Sequence, residues 1–100
     1  MLHTVNKSPY EKNSLDTCLR LAKQGSAILL IEDGVYAAMG GTSETDKMKR
    51  ATDAHNVYVL GPDLKARGLD EAQVIDGIKV VGYDGFVDLA VEPNTVQSWL

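Results

Sequence analysis

The chain holds one thiol, Cys18, two imidazoles, His3 and His55, and three carboxylates beside glycines or strand ends, Glu32, Asp33 and Asp63. These are the groups whose types and spacing bear on chemistry. Cys18 alone cannot form an intramolecular disulfide, nor can it build a thiolate zinc site, since both need several sulfurs. What one thiol can do is act as a nucleophile or carry sulfur as a persulfide. That role requires partial exposure and electropositive surroundings that favour the thiolate. Arg20 and Lys23 are the nearby cations, and Arg20 falls on another face of the helix expected there. The competing role is packing, because free cysteine is among the most buried residue types and behaves as a small hydrophobe. His3 and His55 show no metal-ligand spacing, so structural roles are expected for both, with no metal and no cofactor. Glu32, Asp33 and Asp63 mark the carboxyl edge where open α/β sheets bind ligands. A receiver-type phosphoacceptor would need acids where this chain has Asn6-Lys7-Ser8, and Gly40-Gly41-Thr42 lacks the Lys and spacing of a phosphate-binding loop.

The elements that must position these groups alternate short apolar runs with helix signals, the pattern of an α/β sheet with parallel strands. Leu2 to Val5 reads as a first strand. Ser8-Pro9-Tyr10-Glu11 has the form of a capping box and predicts a helix behind it. Leu15, Cys18, Leu19 and Ala22 recur at helical spacing, and Gly25 offers a stop. Ala27 to Ile31 is continuously apolar, as expected of a central strand buried on both faces. A short helix is expected over Val35 to Met39, closed by Gly40-Gly41, and a solvated helix or loop from Thr42 to Asn56. Val57 to Leu60 and Ile78 to Val81 read as further strands, with a short helix from Asp63 to Arg67 and a turn from Asp70 to Ile75. Asp84 is placed to cap a helix with Phe86, Val87, Leu89 and Ala90 inward, ended by Pro93. Thr95 to Leu100 is a last short strand, on which Trp99 is expected to pack into the core or against a neighbouring subunit.

One hundred residues with 44% hydrophobic and 24% charged side chains suit one domain, residues 1–100, and exclude disordered or fibrous classes. A net charge of −4, with the Lys and Arg dispersed, argues against direct nucleic-acid binding. Uncharged runs such as Gln24 to Ile31 fall well short of the roughly 20 apolar residues that cross a bilayer. Met1-Leu2-His3-Thr4-Val5 enters a strand directly without signal-peptide character, so a cytoplasmic protein without membrane contact is expected. Five strands in so short a chain leave thin helical cover, which points to burial against partner subunits.

Particular strings then become informative. Met1 to Pro9, Leu29 to Ala38 (Leu-Leu-Ile-Glu-Asp-Gly-Val-Tyr-Ala-Ala), Tyr58 to Leu69, Tyr83 to Leu89 and the terminal Gln97-Ser98-Trp99-Leu100 resemble the DsrH/TusB family of sulfur-relay subunits. The resemblance spans the chain except the charged stretch near Ser43 to Ala54. It implies a three-layer α/β/α fold with a small, mostly parallel five-stranded sheet. It also implies a cytoplasmic heterohexamer with DsrE/TusD-like and DsrF/TusC-like subunits that exchanges sulfur with DsrC/TusE-like carrier proteins. Such complexes pass a cysteine persulfide toward 2-thiolation of the wobble uridine in tRNA processing or, in sulfur oxidisers, through dissimilatory sulfur oxidation. The family places its principal sulfur-carrying cysteine on the D or E type of subunit. Cys18 matches a helix-one cysteine of DsrH proteins, and Gly61-Pro62-Asp63 also looks DsrH-like, so the resemblance leans toward the sulfur-oxidation branch.

The resulting expectation is an interaction subunit of a sulfurtransferase complex, not catalytic alone, with Cys18 as a secondary sulfur acceptor. Two alternatives stand beside it. In one, Cys18 is itself the essential persulfide-carrying residue. In the other, the chain is a homo-oligomeric module that binds a small anion or nucleotide near Gly34 or Gly61.

Overall fold

The computed structural model describes residues 1–91 and 96–100. Its strands are β1 (Leu2–Val5), β2 (Ala27–Leu30), β3 (Asn56–Leu60), β4 (Lys79–Val81) and β5 (Val96–Trp99), and its helices are α1 (Ser14–Leu21), α2 (Thr45–Ala54), α3 (Gly61–Ala66) and α4 (Tyr83–Val91). Two 3-10 turns, Glu32–Ala38 and Glu71–Gln73, complete it. The five strands form one sheet in the order β4-β3-β2-β1-β5, and every neighbouring pair is parallel.

This order explains the layers. Passing from β1 through β2 and β3 to β4, the chain steps repeatedly in one direction, and right-handed crossovers put all of those connections on one face. The last crossover runs back past the whole sheet to β5, which puts α4 on the other face. The contacts agree. Val5, Ile28, Leu30, Val57 and Val59 share a face and form one core with Leu15, Cys18, Val35, Met48, Ala51 and Leu64. On the opposite face, where register places Leu60 and Val81, Gly85 of α4 lies against the Val81 side chain. Leu2, Leu29 and Leu60 are buried but stand outside the main core.

Most expected elements are present, and four details differ. The capping box does not start a helix. Ser8 Oγ accepts from Tyr10 N and its carbonyl from Glu11 N and Lys12 N, which closes a turn, and α1 begins only at Ser14. Residues 9–13 carry no apolar side chain aligned with the Leu15–Cys18 stripe, so no core contact offsets the entropy of extending the helix back to Pro9. Gly25, with φ +85, is not the stop of α1, which ends at Leu21; its N–H instead bonds the Ala54 carbonyl in the turn into β2. The helix expected over Val35 to Met39 is a 3-10 turn from Glu32. Asp84 lies inside α4 rather than at its cap, and α4 buries no residue completely. Phe86, Leu89 and Ala90 are half-buried, but Val87 points outward, and Tyr83, Val87 and Val91 at helical spacing are 61%, 58% and 66% exposed. A single nine-residue helix cannot enclose its own stripe when nothing packs over it. Pro93, expected to end this helix, lies outside the described residues.

The terminal strand is tied down as expected. β5 pairs with β1, Thr4 Oγ1 bonds Ser98 Oγ at 3.3 Å, Ser14 Oγ donates to the Leu100 carbonyl at 2.9 Å, and Trp99 packs on the core.

Candidate functional site

Cys18 lies on the inner stripe of α1 with 0% exposure, among the core side chains. Burial pushes its thiol up to about 12, because no solvent stabilises a thiolate there. Arg20 and Lys23 do not help, since both point away from the core. Cys18 is therefore a neutral packing group inside the core, and a sulfur donor would reach the thiol only if α1 lifted from the sheet.

The carboxylates foreseen at the carboxyl edge are brought together. At the exit of β2, Glu32 adopts φ +49, a left-handed conformation that non-glycine residues seldom take. Its N–H donates to Asp63 Oδ2 at 2.6 Å, and its side chain accepts from Asn6 Nδ2 at 3.4 Å. Arg67, just past α3, donates from Nε to Asp33 Oδ1 at 2.9 Å and from Nη1 to the Asp63 carbonyl at 3.3 Å. Each acid thus fastens one strand-end loop to the next, so the cluster has a structural use. At Gly34 a Cβ would run into the Val5 carbonyl, so glycine there lets the 3-10 turn seat on β1 and leaves no open cradle. A cleft of about 350 Å³ beside it is lined by Ser8, Tyr10, Glu11, Asp33 and Tyr36, with no cationic side chain. The wider cleft at Gly61, about 600 Å³, has both a cation, Lys65, and an acid, Glu71, in its lining. Among the described residues no group of three His, Cys, Asp or Glu could hold a metal.

At the amino edge, His3 and His55 are both buried, at 6% and 8% exposure. Trp99 Nε1 donates to His3 Nδ1 at 3.0 Å. Burial, then the Met1 amino group and His55, lower the His3 pKa from its ordinary 6.5. His55 Nδ1 has no partner among the described residues. The Trp99–His3 bond joins positions at opposite ends of the sequence, and nothing short of the β1–β5 register could have revealed it. The same holds for Arg67 on Asp33, whose spacing carries no motif.

The fold and its edges define a class: a small, all-parallel α/β protein with connections on one face, one helix on the other, and no exposed thiol. Residues 7–96 match the model of the DsrH-like protein family, and the chain belongs to that family. It is 43% identical over 100 residues to Protein TusB of Pectobacterium atrosepticum, covering 99% of this chain and all of that protein. Protein TusB of Erwinia tasmaniensis is 41% identical over 99 residues, again with 99% of this chain and all of the relative covered. In solved structures the fold recurs in the ychN protein of E. coli, at a TM-score of 0.80 and 20% identity over 97% of each chain. It recurs also in MTH1491 of Methanobacterium thermoautotrophicum, at 0.69 and 15% identity over 97% of this chain and 95% of that one.

Proposed function

We propose that this chain is a structural, partner-binding subunit of a sulfur-relay complex serving 2-thiolation of the wobble uridine of tRNA, in which the travelling sulfur rides on a cysteine of another subunit. The observation that carries the reading is the position of Cys18. Persulfide transfer needs a thiolate that can attack a donor's outer sulfur, and the one thiol of this chain is sealed in the core and held neutral. Full-length relatives named Protein TusB favour the tRNA branch over the sulfur-oxidation branch toward which Cys18 and Gly61-Pro62-Asp63 lean. The partners are DsrE/TusD-like and DsrF/TusC-like subunits, with a DsrC/TusE-like carrier exchanging the sulfur. The surface offered to them is the outward stripe of α4, Tyr83, Val87 and Val91, because apolar area aligned on one helix face is costly to leave in water.

Co-purification tests this directly. The chain co-expressed with D- and C-type subunits should elute as one complex, and Val87→Asp should release it as a folded single chain of unchanged melting temperature. Co-elution of Val87→Asp at parental yield would remove α4 from the interface. A parent chain that stays monomeric beside both partners, or that assembles only with itself, would overturn the reading.

A further inference from the structure

We infer that the cavity at the amino edge of the sheet, walled by His3, Lys23 and Ser26 with Met1 and Leu21 beside them, is a binding site for a small organic oxyanion, a carboxylate or phosphate carrying a short apolar group. The cavity measures about 320 Å³ and lies between the start of β1 and the turn from α1 into β2. Its polar chemistry is one-sided. Trp99 N–H is only a donor, so the His3 Nδ1 it bonds must be the unprotonated nitrogen, and the ring proton of neutral His3 sits on Nε2. That N–H is the polar atom His3 has left for the cavity, and among the described residues it has no acceptor. Ser26 adds a hydroxyl and Lys23 an ammonium group that makes no ion pair among the described residues. Among the described residues that line it there is no acidic side chain. Three donors, with no carboxylate among the described lining residues, match an oxyanion's acceptors.

The walls narrow the choice further. Met1 and Leu21 are 56% and 60% exposed at the same cavity. A bare inorganic anion would fill little of the volume and leave both apolar side chains in water. A ligand with a short apolar body beside its charge covers them and satisfies the donors together. The site is far from the carboxyl-edge network and does not depend on the sulfur-relay reading.

The test is a titration of the ¹⁵N-histidine-labelled protein with phenyl phosphate, benzoate, inorganic phosphate and phenol, following the His3 Nε2–H resonance. Phenyl phosphate or benzoate should move it saturably, at least fivefold more tightly than inorganic phosphate, and which of the two binds better separates phosphate from carboxylate ligands. Phenol should not move it. Lys23→Gln should weaken the response at least threefold, and Leu21→Ser should abolish the preference for the organic anion; both positions are exposed, so folding is retained. An immobile His3 resonance, an equal response to phenol, or undiminished binding in Lys23→Gln would each overturn the site.

Discussion

Trp99, one residue from the end of the chain, donates its indole N–H to Nδ1 of His3 near the start, closing β5 onto β1 through side chains as well as backbone. The bond sets the histidine tautomer and supplies a partner for a polar ring in a site only 6% exposed. Replacing Trp99 by Phe keeps most of the apolar area but strands the imidazole nitrogen. The expected loss of stability is about 1–3 kcal/mol by urea unfolding.

His3 also gives the protein an acid-side sensitivity. Its folded pKa lies below the ordinary 6.5, so between those two values the unfolded chain binds a proton that the folded chain refuses. Stability is fully present above 6.5 and falls as the pH drops through that window. Urea midpoints measured across it should fall with pH, and His3→Gln should flatten that slope. An unchanged slope in the variant would place the titrating group elsewhere.

Glu32 makes a contrasting prediction. At φ +49 it carries backbone strain on the order of 1 kcal/mol. Glu32→Gly relieves it at the cost of a more flexible unfolded chain, so stability should hold or rise by up to about 1 kcal/mol. Glu32→Val, β-branched in a left-handed conformation, should lose about 1–2 kcal/mol. Thermal melts of the pair decide this, and equal melting temperatures would contradict it.

The strands were legible because burial on both faces writes a plain signal: Ala27 to Ile31 is uninterrupted and becomes the centre of the sheet. The carboxyl-edge acids were legible for the same reason, since strand ends locate loops. Helix boundaries were less so. Ser8-Pro9-Tyr10-Glu11 satisfies the local rules for a cap, yet the apolar stripe that would repay a helix starts only near Leu15. The outward turn of α4 was hidden because Val87 and Phe86 look alike in sequence, and only the sheet's lopsided layering decides which of them finds cover. The His3 cavity depends on the Trp99 bond and on chain crossings that no short motif encodes.

The thiol of Cys18 should behave as a core group. At pH 7.5 iodoacetamide should label it only as fast as the protein opens, with full labelling in urea, because a thiol pushed up to about 12 and sealed from solvent offers almost no thiolate. Cys18→Ala should cost about 1 kcal/mol through lost packing, and Cys18→Ser about 1–3 kcal/mol if its hydroxyl finds no partner. Rapid stoichiometric labelling of the native chain would show that α1 opens readily.

The most direct measurement of the scaffold account is mass spectrometry of the reconstituted complex after incubation with a persulfide donor, with peptides mapped for added sulfur. The added sulfur is expected on a cysteine of a partner subunit and absent from Cys18, with transfer intact in the assembled Cys18→Ala complex. Added sulfur on Cys18, or transfer abolished in a Cys18→Ala complex that still assembles, would contradict the account and make this chain the carrier.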